Sequence, residues 1–369
     1  MKQEFVDLVD KLVAFRSVAS QPSEKRLVLE FAEKWFKENN ITTKWFDSKN
    51  SPSLLATVKG LEKKTVVLVA HLDVVPAPDK MFITRVEGDK IFGRGVLDNK
   101  GCAAILMLVL KRLKKIDQKH PTVKLLLTTD EEEGGFEGVG KIIKMKNILK
   151  PDAVFIPDGG GENLIVTKEK GAIHLLADFR GKAAHGSRPW EGVNALDRGW
   201  EFLNALKKEI NYNEKTIKNK WKSTISLGRV EGGEAINQVP DLAEFGIDIR
   251  FTEEVDPVEL LKFIKKKIKK IGRIKKIILV DRFQSDEKDK IIMLYQKTVN
   301  NYFKGRVNFG FGHGASDARH FNNLGVPVWL HYPKGGEHHG DNEWISIDSV
   351  EKMIYALVDF FSNLRKSDF

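Results

Sequence analysis

The chain has 369 residues, which suffices for one large or two moderate folding units and excludes a mini-protein. Hydrophobic residues make up 41% and charged residues 30%, so the composition allows a sizeable core and excludes general disorder. The net charge of +10 permits a polyanionic partner. However, residues 262–276 contain eight lysines, one arginine and no acidic residue, so the rest of the chain is close to neutral.

The cysteine content and the N-terminus bear on the cellular compartment. The single cysteine, Cys102, excludes an intramolecular disulfide framework, which fits a reducing compartment. Residues 1–18 place apolar side chains at helical spacing, unlike the apolar run of a signal peptide. The chain has no run of roughly 18 apolar residues that would span a bilayer. We therefore predict a cytoplasmic protein.

The first half of the chain alternates between predicted helices and predicted strands. Helices are expected at 3–15, 23–39, 99–115 and 136–148, and strands at 41–47, 53–58, 65–73, 123–130 and 153–158. The last three strands are short, apolar runs with helix-like stretches between them. This rhythm predicts an α/β fold with a mixed, mainly parallel sheet that helices cover on both faces.

The pattern changes at about Lys170. Strands are expected at 174–183, 223–232, 244–251 and 275–281, with helices at 193–210 and 257–271. This β-α-β-β-α-β order is typical of a ferredoxin-like unit. The first rhythm then resumes, with helices at 286–303 and 347–365 and strands at 306–311 and 326–332. We predict a discontinuous domain, 1–169 and 286–369, interrupted by an inserted domain, 170–285.

Histidine and acidic side chains follow several predicted strands. In open α/β sheets, ligands bind beyond the carboxyl ends of the strands. The residues at such places, or on loops expected nearby, are His71 and Asp73, Asp130–Glu133, Asp158, Asp98, and His338–His339. Imidazoles and carboxylates suit Zn²⁺ or a similar ion, and the number of carboxylates suits two ions better than one.

The spacing within this set suggests individual roles. Residues i and i+2 share a face of a strand, so Asp73 can accept the second ring N–H of His71 and orient the ring. The pair Glu131–Glu132 divides into a metal ligand and a carboxylate that takes a proton from water. Either feature alone is typical of a solvated loop. Together with the other groups, they predict a catalytic site with two metal ions.

Four segments also carry a family resemblance: 71–73 (HLD), 93–101 (GRGVLDNKG), 129–132 (TDEE) and 314–319 (GASDAR). They resemble the co-catalytic zinc peptidases and deacylases, which include aminoacylase, acetylornithine deacetylase, succinyl-diaminopimelate desuccinylase, glutamate carboxypeptidase and several dipeptidases. The resemblance covers essentially the whole chain. It implies a catalytic domain with two Zn²⁺ ions, or Co²⁺ or Mn²⁺ in their place. It also implies that the inserted domain is a lid through which a homodimer forms.

The resemblance further implies the metal ligands. Asp98 would bridge the two ions and be followed by a cis peptide. His71 and Asp158 would complete one metal position, and Glu132 and His339 the other. His338 is the alternative to His339. We prefer His339 because it stands four residues before Glu343, and the family's last ligand commonly stands four residues before a glutamate. Glu131 would be the general base.

Substrate-binding residues are implied in the same way. The segment 181–189 (GKAAHGSRP) resembles a family motif whose histidine, here His185, stabilises the oxyanion of a catalytic site, often that of the partner subunit. Asn237 and Arg250 match positions that bind substrate, and Arg250 would hold a carboxylate next to the scissile amide. Gly314 and Ser316 are assigned to substrate binding as well. A surface-loop histidine and a strand-face ion pair are the alternatives for His185 and Arg250.

The predicted function is hydrolysis of an amide bond next to a free carboxylate, in an N-acyl amino acid or a short peptide. A dipeptidase or carboxypeptidase is the alternative to an N-deacylase. A serine hydrolase using Ser316 with Asp341 and His339 is a remote alternative. Another is a nucleic-acid-binding protein using residues 262–276. The apolar residues of that run stand at helical spacing, however, and so favour an amphipathic helix with solvated lysines.

Overall fold

The computed structural model describes residues 1–48, 50–116, 119–213, 215, 220–303, 305 and 307–369. Its backbone contacts divide the chain into two units. Unit 1 comprises Met1–Lys168, Gln284–Gly312 and Ser316–Phe369, and unit 2 comprises Glu169–Phe283 and His313–Ala315. Each unit has a hydrophobic core of its own. The functional assignment of the two units as a catalytic domain and a lid stays a prediction.

The elements follow in chain order. The α-helices are α1 (Lys2–Val13), α2 (Pro22–Glu38), α3 (Lys100–Leu113), α4 (Val139–Ile142), α5 (Ala195–Glu209), α6 (Pro257–Ile268), α7 (Lys290–Val299) and α8 (Ile347–Asn363). The first eight strands are β1 (Thr42–Phe46), β2 (Ser53–Val58), β3 (Glu62–His71), β4 (Arg85–Glu87), β5 (Lys90–Phe92), β6 (Pro121–Thr128), β7 (Ala153–Ile156) and β8 (Leu164–Glu169). The later strands are β9 (Gly171–Arg180), β10 (Ala184–His185), β11 (Thr224–Gly232), β12 (Gln238–Val239), β13 (Leu242–Phe251), β14 (Gly272–Val280), β15 (Phe283–Gln284), β16 (Asn308–Gly312), β17 (Val328–Leu330), β18 (Gly335–Gly336) and β19 (Trp344–Ser346).

The main sheet of unit 1 confirms the predicted α/β class. Seven of its strands lie side by side in the order β1-β2-β6-β3-β7-β17-β8. The central strands β6, β3, β7 and β17 are parallel, and the strands toward the edges pair antiparallel. The central strands are buried on both faces, as parallel strands require, and this explains why they read as continuous apolar runs.

The parallel arrangement brings the ends of three strands to one edge of the sheet. His71, the last residue of β3, pairs with Thr128, the last residue of β6. Leu68 of β3 pairs with Phe155 of β7, so β7 also ends at this edge. Helix α3 is apolar all round and lies buried against the sheet, which fixes the segment just before its first residue, Lys100.

Unit 2 has the β-α-β-β-α-β order that the sequence predicts. Strands β9, β11, β13 and β14 form an antiparallel sheet in the order β11-β13-β9-β14. Helices α5 and α6 contribute apolar side chains to the core of this unit. The short strands β10 and β12 form a separate pair, in which His185 lies opposite Gln238.

The basic run is divided between a helix and a strand. Helix α6 buries Leu260, Ile264 and Ile268 while its lysines are exposed, so the amphipathic interpretation is confirmed. The helix ends at Ile268, and the last part of the run belongs to β14. There Arg273 pairs with Asp178, and Lys275 pairs with Glu244. Among the described residues, none of the helices combines the length and apolarity needed to cross a lipid bilayer.

The predicted helix at 136–148 is largely wrong, since only Val139–Ile142 is helical. The carboxylate of Asp130 accepts hydrogen bonds from the amides of Glu137 and Gly138 at 2.8 and 2.9 Å. The Asp130 side chain thus binds two amides near the start of the predicted helix. Glycines at positions 134, 135, 138 and 140 also weaken helix formation. Strands β4, β5 and β8 were not predicted, nor were the short strands β10, β12, β15, β18 and β19.

Candidate metal centre

His71 lies at the end of β3 with its two ring nitrogens in different surroundings. Nε2 is 3.1 Å from Oδ1 of Asp98. Nδ1 is 3.0 Å from the main-chain oxygen of Asp73 and 3.5 Å from its carboxylate. The side chains of His71 and Asp73 are both buried, with exposed fractions of 2% and 1%. The sequence predicts the carboxylate as the partner of Nδ1, whereas the nearer acceptor is the main-chain oxygen of the same residue.

Asp98 lies between two imidazoles. Its Oδ2 is 3.1 Å from Nε2 of His339, so that each oxygen of the carboxylate faces a different ring. Nε2 of His339 is also 3.2 Å from Oε1 of Glu132. The peptide bond from Asp98 to Asn99 is cis. This arrangement, one carboxylate shared by two potential ligands, is the one that a bridging ligand needs.

The neighbouring histidine has a different partner. Nε2 of His338 is 2.7 Å from the hydroxyl oxygen of Tyr332. Of the two histidines that the sequence leaves open, it is therefore His339 that the structure brings to Asp98 and Glu132.

The two adjacent glutamates stand on a short 3₁₀ helix, Glu131–Glu133, directly after β6. The carboxylate of Asp73 accepts hydrogen bonds from the main-chain amides of Glu131 and Glu132, at 3.3 and 3.0 Å. Asp73 thus connects the end of β3 to the glutamate loop. Its two carboxylate oxygens serve this loop, which is a role that the strand-spacing argument does not predict.

Two sets of possible ligand atoms are close together within the described part of the chain. One set is His71, Asp98 and Glu132, and the other is His71, Glu131 and Asp158. The donor atoms of each set lie within 4.8 Å of one another. The second set joins Asp158 with His71, the pair that the resemblance assigns to one metal position, and adds Glu131, which the resemblance makes the general base. The division of these residues into ligands and general base stays a prediction.

The pKa values of two carboxyl groups at the site are shifted in opposite directions. Burial would raise the pKa of Asp98, but hydrogen bonds from His339 and His71 outweigh it and hold this pKa below its usual range. Burial raises the pKa of Glu131 well above its usual range, and the charge of Asp158 acts in the same direction. Asp98 is thus kept ionised, while Glu131 has a strong tendency to hold a proton.

The imidazoles respond to the same charges. Burial would lower the pKa of His71, but Asp73 and Asp98 raise it well above its usual range. The neighbouring carboxylates of Asp98 and Glu132 raise the pKa of His339 to about 10. The carboxylates of the site therefore strongly favour a positive charge nearby. Without another cation, they favour the protonated, charged form of the two histidine rings.

The residues present fit a divalent metal ion. Two imidazoles with several carboxylates form a donor set typical of zinc and related borderline ions. Oε1 of Glu132 is buried and lies 3.2 Å from Nε2 of His339, but it makes no hydrogen bond of good geometry with any residue that the structure describes. A buried carboxylate oxygen without a hydrogen bond is costly, and a cation would satisfy it.

Sequence reasoning missed several residues that hold the site together. Asn99 donates a hydrogen bond from Nδ2 to the main-chain oxygen of Pro157, at 2.7 Å, and so ties the Asp98 segment to the residue before Asp158. Buried Lys25 forms an ion pair with Glu133. Arg319 donates from Nη2 to the main-chain oxygen of Gly134, at 2.5 Å. Asn99 and Arg319 lie in matched motifs, but their partners are distant in sequence and no local signal indicates them.

Two of the predicted substrate residues lie close together in unit 2. His185 is exposed, and its Nδ1 is 2.8 Å from the hydroxyl of Ser187. The amide of Gly186 donates to the main-chain oxygen of Asn237 at 2.6 Å, so the two loops are neighbours. Arg250 lies on β13, and its Nε donates to both carboxylate oxygens of Asp248, at 3.0 and 3.1 Å. The strand-face ion pair considered for Arg250 is therefore present, and it engages Nε of the guanidinium.

Gly314 is grouped with unit 2 and Ser316 with unit 1. Ser316 is buried and caps the 3₁₀ helix Asp317–Leu324, because its hydroxyl accepts a hydrogen bond from the amide of Ala318 at 3.3 Å. His339, the proposed base of a serine hydrolase, faces Asp98 and Glu132 instead. These contacts argue against a serine nucleophile at this position.

Known proteins resemble this chain over most of its length. The model of peptidase family M20/M25/M40 matches residues 67–363. Carboxypeptidase G2 from Pseudomonas sp. (strain RS-16) is 27% identical over 327 residues, which cover 85% of this chain and 77% of the relative. A probable succinyl-diaminopimelate desuccinylase from Staphylococcus epidermidis is 24% identical over 330 residues, covering 80% of this chain and 81% of the relative.

A solved structure shows that the fold is shared. A tripeptidase from Staphylococcus aureus superposes with a TM-score of 0.80, covering 98% of both chains, at 19% sequence identity.

Proposed function

Because the chain belongs to peptidase family M20/M25/M40 and is a metal-dependent hydrolase, we propose that it is a dinuclear zinc enzyme. Its substrate is an N-acyl amino acid or a short peptide, in which it cleaves an amide bond next to a free carboxylate. The observation that carries the proposal is the cluster of two imidazoles and four carboxylates at one edge of the main sheet. The family match supports the reaction class, and the cluster supports the number of metal ions.

Asp98 is the proposed bridging ligand. His71 and Asp158 complete one metal position, and Glu132 and His339 complete the other. The contacts of Asp98 support this assignment, because its two oxygens face two different imidazoles. When bound, the ions polarise the scissile carbonyl group and lower the pKa of the attacking water. Co²⁺ or Mn²⁺ in place of Zn²⁺ belongs to the same proposal.

Glu131 is the proposed general base. It takes a proton from the attacking water and then passes that proton to the leaving amine. A carboxyl group does this best when its pKa approaches the working pH, and the raised pKa of Glu131 is in the right direction. Its main-chain amide is held by the Asp73 carboxylate, which limits the movement of the loop.

The substrate contacts in the proposal come from matched motifs. Arg250 binds the free carboxylate of the substrate, and His185 donates a hydrogen bond to the oxyanion. Asn237, Gly314 and Ser316 contact the remaining substrate groups. The proposed protein is cytoplasmic and forms a homodimer through unit 2. In this dimer His185 donates its hydrogen bond in the catalytic site of the partner subunit.

The relatives leave two substrate types for the experiment to separate. Two similar proteins are named as peptidases, a carboxypeptidase and a tripeptidase, and one is named as a desuccinylase. A dipeptidase or carboxypeptidase activity is therefore the alternative to N-deacylation. Both activities need the same metal ligands and general base.

A metal-reconstitution assay tests the proposal. The protein is stripped with a chelator, reloaded with Zn²⁺, Co²⁺ or Mn²⁺, and assayed on N-acetyl and N-succinyl amino acids and on di- and tripeptides. Each substrate is paired with its carboxamide form, which lacks the free carboxylate. We expect loss of activity on chelation, recovery with two ions per chain, and strong preference for the free acid. Activity that resists chelation and yields to a serine-directed reagent would contradict the proposal.

A further inference from the structure

Glu343 is the most completely buried carboxylate next to the metal centre, with an exposed fraction of 0%. Oε1 accepts hydrogen bonds from the amides of Leu97 and Asp98, at 2.9 and 3.0 Å. Oε2 accepts from the amide of Gly95 at 3.0 Å and from Nη1 of Arg94 at 2.7 Å. Both oxygens are thus fully engaged by N–H donors, so Glu343 is not a free metal ligand.

Arg94 extends this contact to the second histidine segment. While Nη1 donates to Glu343, Nη2 donates to the main-chain oxygen of His339, at 3.0 Å. The Arg94 side chain is itself buried. Glu343 and Arg94 therefore connect the segment that ends in Asp98 with the segment that carries His339.

The backbone at His339 needs such a contact. Its φ is +59°, in the left-handed region that non-glycine residues adopt rarely and at a cost. The hydrogen bond from Arg94 to its main-chain oxygen helps to hold this conformation. Through it, the imidazole is kept 3.1 Å from Asp98 and 3.2 Å from Glu132.

We propose that Glu343 and Arg94 form a positioning pair that sets the separation of Asp98 and His339. The affinity of the metal position made by Asp98, Glu132 and His339 then depends on two residues that do not touch the ion. This inference rests on the proposed function in that the site must bind metal. Hydrogen-bonding partners behind metal ligands commonly change metal affinity by about 10- to 100-fold.

The test is metal titration of Glu343→Gln. A glutamine has the same size, but its amide N–H groups would face the N–H donors that the carboxylate accepts. We expect Zn²⁺ affinity at one of the two positions to fall by about 10- to 100-fold, measured by competition with a chromophoric chelator. At limiting metal the variant binds one ion per chain, and excess Zn²⁺ restores its kcat.

Arg94→Lys is the second variant, because a lysine keeps the charge but cannot bond Glu343 and His339 at once. We expect it to weaken the same metal position. Asp89→Asn is the matched control. Asp89 also contacts the β19 region, through Ser346 Oγ at 2.5 Å and the amide of Asp348 at 2.8 Å, and these bonds do not involve the segments of Asp98 or His339. It should keep wild-type metal affinity even if its stability falls.

The outcomes separate this inference from the proposed function. Wild-type affinity and stoichiometry in Glu343→Gln overturn the positioning role alone. If that variant does not fold, unchanged metal binding in Arg94→Lys overturns the role equally. If the wild-type protein itself binds no metal, the proposed function fails, and the positioning role fails with it.

Discussion

The residues assigned to chemistry lie in two contrasting surroundings. In unit 1 the candidate ligands range from buried His71 through partly buried carboxylates to exposed His339. Their segments are tied to one another by Asp73, Asn99, Lys25 and Glu343. In unit 2 His185 is exposed on a short β pair, where its ring contacts the hydroxyl of Ser187. Asn237 on the neighbouring loop is exposed as well.

The difference follows from the charge that each region must hold. Several carboxylates within a few ångströms repel one another, so a site of this kind needs hydrogen bonds and rigid support to keep its geometry. An imidazole that donates one hydrogen bond to a substrate needs no such support. We therefore expect changes at the metal ligands and their hydrogen-bonding partners in unit 1 to alter metal binding or stability together with activity, and changes at His185 to alter activity alone.

The largest effect is expected for Glu131→Gln. This change removes the proposed proton acceptor while keeping its size, so kcat should fall by about 1,000-fold. Metal content should stay at the wild-type level, measured by mass spectrometry of the loaded protein. The thermal midpoint should stay the same or rise, since the raised pKa of Glu131 shows that its ionised form is disfavoured by burial.

The control for this prediction lies on the same loop. Glu137 is exposed and paired with Lys141 at 3.0 Å, so Glu137→Gln should leave kcat near the wild-type value. Near wild-type turnover in Glu131→Gln would remove that residue from the mechanism.

A smaller effect is expected for His185→Ala. Loss of one hydrogen-bond donor to an oxyanion costs about 100-fold in kcat/KM. Because the ring is exposed, metal content and thermal midpoint should not change, which would sharpen the contrast with unit 1. A variant that loses metal or unfolds at a lower temperature would break the comparison. Ser187→Ala, which removes the partner of Nδ1, should reduce kcat/KM less.

The smallest effect concerns pH and a buried histidine of unit 1. Nδ1 of His331 lies 2.8 Å from the hydroxyl oxygen of Tyr295, and Nε2 donates to the main-chain oxygen of Glu162 at 3.1 Å. Burial lowers the pKa of His331 to about 4. Its usual value is about 6.5. Between these values the unfolded chain binds more protons, so stability is fully present above pH 6.5 and is lost as the pH falls toward 4.

This contribution amounts to about 1 kcal/mol of unfolding free energy between pH 7 and pH 5.5. Urea unfolding at several pH values checks it. His331→Gln should show a shallower decline in stability over this range than the wild type. Equal declines in the two proteins would mean that His331 already binds its proton in the folded state.

The sequence predicts the central part of unit 1 well, for an identifiable reason. The strands that end at His71, Thr128 and Ile156 are apolar runs buried on both faces, and such runs are visible without any tertiary information. The segment 136–148 shows the opposite case. Its apolar residues suggest a helix, but the carboxylate of Asp130 binds the amides of Glu137 and Gly138 in a turn, so most of the helix does not form.

The candidate metal ligands and the order of the central strands along the chain were predicted from the sequence alone. Local patterns of apolar, acidic and histidine residues report on short stretches of chain, and parallel strands bring their ends to one edge. Only the tertiary structure decided which partners meet. It brought His339, which the sequence only prefers over His338, beside Asp98, and it added Glu131 to the pair of His71 and Asp158. It also joined Glu343 to Asp98 across 245 positions of the chain. Such contacts depend on how separate segments pack, and no local pattern records that packing.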